Sequence, residues 1–270
     1  MVFVAAAWHS GSTLLGVMLG AHPSILYAGE AMCVSRLDDT ATPGHQRSCR
    51  LCGPPCPVWA GLARESGPDL WDELSRRSRR PLIFDSSKSR TWVTQQAVAL
   101  AGSVPASLVV LVRDGRGVVN SHRRKHPDVA VSAHAEAWVE KMKKVEALAR
   151  DWSGPTYRIR YEDLVSYPSE SLRSLSVFLG VPFDRNMLDP WSGEIHPLDS
   201  NPGPLLMMLG RQERAFLPEI LEPSPDTVGF YVQSAPRVSL DLRWQTEMNA
   251  EELLIFDRIA GRFNAAYTWG

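Results

Sequence analysis

Long apolar runs and a surplus of either charge are missing from this sequence of 270 residues. A membrane-spanning helix needs roughly 20 consecutive apolar residues, and no such run exists, so we expect no membrane span. The formal net charge is −1 at pH 7, which argues against wholesale binding to nucleic acid or to an anionic membrane. Any site for an anion must therefore be built locally from a few residues.

A basic segment is also missing ahead of the first apolar residues, MVFVAAA. A secretory signal would begin with such a segment, so we interpret these residues as a buried strand. The composition, with 44% hydrophobic and 22% charged residues, is that of an ordinary globular protein. These features predict a soluble, cytoplasmic protein.

Cysteine is scarce, and its four residues are unevenly distributed along the sequence. Cys49, Cys52 and Cys56 lie in CRLCGPPC, His45 lies just upstream, and Cys33 stands apart. The spacing is typical of metal ligands, but the second half of a paired zinc-binding motif is missing. Reduced thiols in a proline-rich loop are the interpretation that we favour, and structural zinc is the alternative. A disulfide does not suit a reducing cytosol.

Short apolar runs alternate with helical patterns along most of the chain. Strands are predicted at residues 1–7, 82–87, 107–112 and 156–160, and helices at about 13–21, 90–101, 115–125, 131–152 and 250–266, with a further helix that ends at Gly180. Apolar strands between helices indicate a parallel sheet covered on both faces. The sequence therefore predicts an α/β fold with a P-loop-like parallel sheet flanked by helices on both faces.

We expect residues 1–270 to form a single domain with two irregular insertions. Residues 31–80 are rich in cysteine, proline, glycine and arginine, and residues 185–240 in proline, glycine and asparagine. Long irregular segments on an α/β scaffold are usually lids or binding loops. The second insertion is therefore predicted to be a lid or an acceptor loop.

Ligands of parallel α/β sheets bind outside the carboxyl ends of the strands. The first strand delivers the turn HSGST at residues 9–13, directly before a helix. Backbone amides and a helix N-terminus favour a phosphate or sulfate group there. The lysine that nucleotide triphosphatases place in this turn is missing, which argues against a triphosphate chain.

The next two strand ends add positive charge. The second predicted strand delivers Lys88, and the third delivers Arg113, with Ser121 two turns into the helix that follows. Arg113 offers a planar fork for a phosphate; its alternative partner is a local carboxylate such as Asp114. The pattern indicates two separated anionic groups, as in a nucleotide with phosphates on its 5′ and 3′ sides.

Taken in order, these motifs resemble the sulfotransferases that use 3′-phosphoadenosine 5′-phosphosulfate (PAPS). HSGSTL resembles their 5′-phosphosulfate loop, and VVLVRDGRGVVNSHRR (109–124) resembles their 3′-phosphate motif. AHPSILYAGE (21–30) is similar to tyrosylprotein sulfotransferases, in which a glutamate acts as base. Further segments resemble bacterial members: IFDSSKSR (83–90), RYEDLVSYPSESLRSLSVFLGVPF (160–183), CRLCGPPCPVW (49–59) and HPLDSNPGPLL (196–206).

The resemblance implies a nucleotide site of two parts. The 5′-phosphosulfate of PAPS would be bound by the first turn, through Ser10, Gly11, Ser12, Thr13 and Leu14. Its 3′-phosphate would be bound by Arg113 and Ser121. The bisphosphate PAP would be the product.

The resemblance also implies the catalytic residues. Glu30 would take the proton of the acceptor hydroxyl, and Lys88 would stabilise charge on the sulfuryl group and the leaving phosphate. His9 stands where the family usually has a cation, and it is neutral, cationic or close to the acceptor. No metal takes part in this scheme. We interpret His196 as a loop residue rather than a base.

The predicted function is transfer of the sulfuryl group of PAPS to a hydroxyl of a small molecule, a carbohydrate or a peptide. A small-molecule kinase of the P-loop type and a catalytically inactive nucleotide-binding module are the alternatives. The sequence predicts neither the acceptor nor the oligomeric state.

Overall fold

A computed structural model describes residues 1–214, 218–224, 227–229, 231 and 238–269. Five parallel strands form one sheet in the order β2-β3-β1-β4-β5. The strands are β1 (Val2–Ala6), β2 (Ile25–Gly29), β3 (Leu82–Asp85), β4 (Ser107–Val112) and β5 (Thr156–Arg160).

Helices fill the connections between the strands and most of the chain after β5. Up to residue 211 the α-helices are α1 (Ser12–Gly20), α2 (Gly67–Ser78), α3 (Arg90–Leu100), α4 (Gly115–Lys125), α5 (Val131–Asp151), α6 (Tyr161–Ser166), α7 (Pro168–Leu179) and α8 (Pro202–Arg211). Short 3₁₀ turns occupy Ala31–Arg36, Gly44–Gln46, Arg185–Leu188 and Pro190–Ser192. The remaining helical segments are Pro218–Leu221, Trp244–Glu247, Ala250–Phe256, a π-helical turn at Asp257–Gly261 and Arg262–Asn264. None of the helices in the described part of the chain has the length and apolar character of a membrane span.

Each face of the sheet is buried under its own layer of side chains. Successive residues of a strand point to opposite faces: Phe3 belongs to the core that includes Trp71 and Trp138, whereas Val2 and Val4 belong to the core on the α1 side. All five residues of β1 are at most 2% exposed. Burial on both faces explains why the strands read as continuous apolar runs rather than as alternating patterns.

The prediction of a parallel sheet with helices on both faces is confirmed, and all four predicted strands are present. The sequence analysis missed β2, because a short apolar run cannot be assigned to a strand by periodicity alone. This strand lies at the edge of the sheet, where unpaired backbone groups need cover. Leu198 forms hydrogen bonds with these edge groups: its N–H donates to Ala28 O at 2.9 Å, and its carbonyl accepts from Glu30 N at 2.8 Å.

The two predicted insertions are more helical than their sequences indicate. Residues 31–80 contain the whole of α2, and residues 185–240 contain α8. Parts of the second insertion lie outside the described residues. The described part contacts the sheet edge through Leu198, so it forms one wall of the space beyond the strand ends.

The order of the strands places a crevice beside β1. The connection after β1 runs toward one edge of the sheet, and the connection after β4 runs toward the opposite edge. Ligands of α/β sheets bind outside the carboxyl ends at such a switch point. The residues that follow β1 and β4 are therefore the first candidates for a binding site.

The packing of α1 on β2 gives a stability prediction. A Cβ atom on Gly16 would lie 2.2 Å from Cε2 of Tyr27, a side chain that is completely buried. We expect Gly16→Ala to lower the free energy of unfolding by about 1–3 kcal/mol, the usual cost of overpacking a core. Urea denaturation measures this difference.

Gly210 provides the matched control, because it lies in α8 with nothing within 4 Å of the added Cβ. Gly210→Ala is expected to leave the stability unchanged or to raise it by up to about 1 kcal/mol through helix propensity. An unchanged stability of Gly16→Ala would contradict the close approach of α1 and β2.

Candidate functional site

The carboxyl ends of all five strands open into a cavity of about 760 Å³. One or more residues after each strand line it. In the order of the sheet, these are Glu30, Lys88, the turn after β1, Arg113 and Tyr161. Neighbouring strands lie about 4.8 Å apart, so these groups form a row along the rim of the sheet, which is the edge formed by the carboxyl ends of its strands.

The turn after β1 approaches the cavity with its backbone. Gly11 has a φ of 91°, and a Cβ atom there would lie 2.6 Å from Cδ2 of Tyr161. Only glycine fits both constraints. α1 begins directly after it, so the first backbone N–H groups of the helix and its positive dipole end lie at the cavity. This arrangement suits an anionic group.

The side chains of the turn differ in their access to the cavity. Ser12, Thr13 and Leu14 line it, whereas Ser10 is 1% exposed and is not among the lining residues. Within the described residues, the buried Ser10 Oγ has no hydrogen-bond partner. The contact of Ser10 with the 5′-phosphosulfate therefore stays a prediction, and its side chain is buried in the structure.

His9 lines the cavity and has a strongly lowered pKa. Burial lowers its pKa to about 2, and the nearby charges of Lys125 and Arg113 add to this effect. Its φ of 58° is unusual for a residue other than glycine. Of the alternatives left open by the sequence, the lowered pKa favours a neutral imidazole.

Arg113 is almost fully buried, with 6% of its side chain exposed. Its Nη1 donates to His9 O at 2.8 Å, and its Nη2 donates to Asp241 O at 2.9 Å. The guanidinium also lies 4.4 Å from the centre of the Tyr161 ring. Tyr161 thus lies against both the first turn and the arginine, and connects the two candidate anion sites.

The carboxylate beside Arg113 is Asp241 rather than its sequence neighbour. Arg113 Nη2 lies 3.2 Å from Asp241 Oδ2, and Arg243 pairs with the same carboxylate through two hydrogen bonds of 2.8 and 2.9 Å. Burial opposes ionisation, but the hydrogen bonds from Arg243 and the charge of Arg113 lower the pKa of Asp241. Asp114 instead caps α4 and pairs with Arg116.

The end of β3 positions Glu30 and Lys88 through one buried carboxylate. Asp85 Oδ1 accepts hydrogen bonds from Ala31 N at 3.2 Å and from Ser87 N at 2.8 Å. Its Oδ2 accepts from Trp92 Nε1 at 2.8 Å. These bonds attach Ala31, which follows Glu30, and Ser87, which precedes Lys88, to the same carboxylate.

Glu30 and Lys88 form an ion pair at the cavity wall, through Glu30 Oε1 and Lys88 Nζ. Burial raises the pKa of Glu30, and the charge and hydrogen bond of Lys88 oppose that rise without cancelling it. A carboxylate with a raised pKa is a better proton acceptor than an ordinary one. The pair therefore places a potential proton acceptor beside a cation.

The structure brings the predicted site residues together. All of them except Ser10 line the one cavity, including Ser121 on α4. The sequence analysis did not assign site roles to Tyr161, Asp241 and Arg243. Tyr161 could have been found from its place directly after a predicted strand, whereas the other two lie in an irregular segment without a periodic signal.

Comparisons with known proteins agree with this geometry. The model of the sulfotransferase family matches residues 2–185. No protein among the curated ones matches the sequence significantly.

The solved structures that are similar in fold include two sulfotransferase domains. The sulfotransferase domain of the olefin synthase of Synechococcus PCC 7002 is 21% identical with a TM-score of 0.61, over 100% of this chain and 95% of that domain. The sulfotransferase domain of the curacin biosynthetic pathway is 18% identical with a TM-score of 0.59, over 100% of this chain and 98% of that domain. The sheet with helices on both faces thus has the P-loop-like sulfotransferase fold, and by the family match this chain belongs to the sulfotransferase family.

Proposed function

We propose that this protein transfers the sulfuryl group of PAPS to an acceptor hydroxyl. The observation that carries the proposal is the single cavity that joins Gly11, Arg113 and the pair Glu30–Lys88. Two anion sites next to a base and a cation are what such a transfer requires. The family match supports sulfuryl transfer and gives no support to the kinase or to the inactive module.

The order of the strands divides the cavity into two halves. β1 and β4 are neighbours, and they deliver the first turn and Arg113. We assign the 5′-phosphosulfate to the turn, with Ser12, Thr13 and Leu14, and the 3′-phosphate to Arg113 with Ser121. Arg243 adds positive charge beside Arg113 through their common contact with Asp241.

β2 and β3 form the half in which the acceptor binds. They deliver Glu30 and Lys88, so the transferring sulfur lies between the turn after β1 and the base. The second insertion supplies further cavity residues near this half, among them Ser200, Asn201 and Met207. A small molecule, a carbohydrate or a peptide with a free hydroxyl fits this assignment.

The reaction is an in-line displacement at sulfur, analogous to phosphoryl transfer. The acceptor oxygen forms a bond to sulfur while the bond from sulfur to the 5′-phosphate oxygen breaks. Glu30 takes the acceptor proton, and the bisphosphate PAP leaves with the bonding electrons. Lys88 and the amides of the first turn stabilise the negative charge that develops on the leaving phosphate.

The ion pair couples these two roles. Lys88 holds down the pKa of Glu30 while the two are in contact. As Lys88 turns toward the leaving phosphate, Glu30 loses this stabilisation of its charge and becomes a stronger base. Proton removal and leaving-group stabilisation therefore support each other in the transition state.

Binding of adenosine 3′,5′-bisphosphate is the first prediction, because the product carries both phosphates of the proposed ligand. Isothermal titration should show saturable binding, and at 100 times the dissociation constant the fold should gain about 2.7 kcal/mol. ATP should give a smaller thermal shift than the bisphosphate at equal concentration. A folded sample that does not bind the bisphosphate, or that shows a larger thermal shift with ATP, would contradict the proposal.

Substitutions of the two cations should have different effects. Arg113→Ala is expected to weaken bisphosphate binding roughly 10- to 100-fold, since it removes hydrogen bonds to a charged group. Lys88→Ala should chiefly lower kcat, because its contact strengthens in the transition state. Titration and initial rates measure the two effects, and equal losses of affinity with unchanged turnover would refute this division of roles.

The raised pKa of Glu30 predicts a pH dependence. The base is the carboxylate form, so kcat should fall as the pH drops below the pKa of Glu30 and reach a plateau above it. Glu30→Gln should lower kcat roughly 10²- to 10⁴-fold and abolish this acid limb, while bisphosphate affinity stays unchanged. An acid limb that survives in Glu30→Gln would assign the base to another group.

A further inference from the structure

Four potential metal ligands from two distant segments meet beside the cavity. Cys49, Cys52 and Cys56 come from the first insertion, and His196 comes from the second. Their sulfur and nitrogen atoms all lie within 4.8 Å of one another. None of the four lines the proposed active-site cavity, so the cluster is separate from the groups assigned to sulfuryl transfer.

The distances within the cluster suit tetrahedral zinc. Zinc bonds of about 2.3 Å to sulfur and about 2.0–2.1 Å to nitrogen place two ligand sulfurs about 3.8 Å apart, and a sulfur and a nitrogen about 3.6 Å apart. His196 Nδ1 lies 3.3 Å from Cys52 Sγ and 3.4 Å from Cys56 Sγ. The cysteine spacing, with two and then three residues between ligands, is also typical of structural zinc sites.

The surroundings of His196 leave the correct nitrogen available. Its Nε2 lies 3.2 Å from Glu194 Oε1, and a carboxylate only accepts, so Nε2 carries the proton. The lone pair of the neutral ring is then on Nδ1, the atom that faces the sulfurs. Trp59 Nε1 donates to His196 O at 2.6 Å and holds the backbone of this residue. Partners of this kind orient the histidine ligands of metal sites.

We propose that Cys49, Cys52, Cys56 and His196 bind one zinc ion in a closed structural site. Four protein ligands complete the coordination of zinc and leave no position for substrate or water. The zinc therefore takes no part in sulfuryl transfer. Its effect is to connect two insertions that are more than a hundred residues apart in the sequence.

A disulfide accounts for the cluster less well. All four cysteines of the chain are free thiols in the structure, and a disulfide would use two of the three clustered sulfurs without involving His196. Cys33 lies outside the group and donates to Asp199 Oδ2 at 3.5 Å.

The site stabilises the wall of the active-site cavity. Leu198, two residues after His196, bridges to Cys49 on one side and to Gly29 on the other. Its carbonyl also accepts from Glu30 N at 2.8 Å. Zinc would thus hold the segment that covers the edge of β2 and fixes the backbone of the proposed base.

The first experiment uses the wild-type chain, purified without chelators from zinc-supplemented medium. Elemental analysis should find about one zinc ion per chain, since the proposed site holds one ion. Cobalt exchanged into the site should give the intense d–d absorption of tetrahedral coordination and thiolate-to-cobalt charge transfer. Removal of the metal with a strong chelator should lower the Tm.

Matched variants identify the ligands. Cys52→Ser and His196→Ala should lose most of the bound zinc and the tetrahedral cobalt spectrum. Cys33→Ser and His45→Ala should retain both, because Cys33 is outside the cluster and His45 Nδ1 instead pairs with Glu222 Oε2 at 2.9 Å. Should Cys52→Ser fail to fold, the cobalt spectrum of the wild-type chain still tests the site.

Three results would overturn the proposal. The first is a folded wild-type chain that holds less than about a fifth of an equivalent of zinc, where a structural site would be filled. The second is full zinc retention by His196→Ala. The third is an intact mass two hydrogens lower than that of the reduced chain in the freshly purified wild-type protein, which would show a disulfide instead.

Discussion

The buried carboxylate of Asp85 is the interaction on which the proposed site depends most. It has no exposed surface, and burial raises its pKa although four donor groups approach it. An uncompensated carboxylate in such a place would be costly, so its partners must stay in position. Two of those partners, Ala31 N and Ser87 N, adjoin the two members of the ion pair. A change in this network would move Glu30 and Lys88 together.

The second constraint is the burial of positive charge in the half of the cavity that we assign to the nucleotide. Arg113 lies between the carbonyl of His9, the ring of Tyr161 and the carboxylate of Asp241. These contacts keep the guanidinium in place before any ligand arrives, so little order is lost on binding. Asp241 neutralises part of the charge, and Arg243 pairs with the same carboxylate. The guanidinium of Arg113 is therefore already positioned at the cavity where we propose that the 3′-phosphate binds.

The rim of the parallel sheet was predictable, because its signals are local. An apolar run, a turn of small residues and a helix pattern identify β1 and the candidate anion site after it, and the same reasoning located Lys88 and Arg113. β2 escaped the analysis of periodicity because the short apolar run ILYA is compatible with a helix as well as with a strand. Glu30, which follows it, was found from resemblance to a family rather than from its own pattern.

His196 and Asp241 show where this reasoning stops. His196 was interpreted as a loop residue, and no local pattern connects it to cysteines some 140 positions earlier. For Arg113 the local alternative to a phosphate was a neighbouring carboxylate such as Asp114, whereas the carboxylate with which it pairs belongs to Asp241, 128 positions later. Irregular segments carry no period from which a distant contact can be inferred.

The sequence by itself determined the α/β class, the chain order of the strand-end motifs and the types of side chain at the proposed site. Those properties depend on hydrophobic patterns and on turns a few residues long. Only the tertiary structure decided which strands are neighbours, where the edge strand β2 lies and which insertion residues reach the rim. The reason is physical: burial and hydrogen bonding between segments far apart in the chain select these pairings. Such interactions contribute to the free energy of folding only after the segments have packed together.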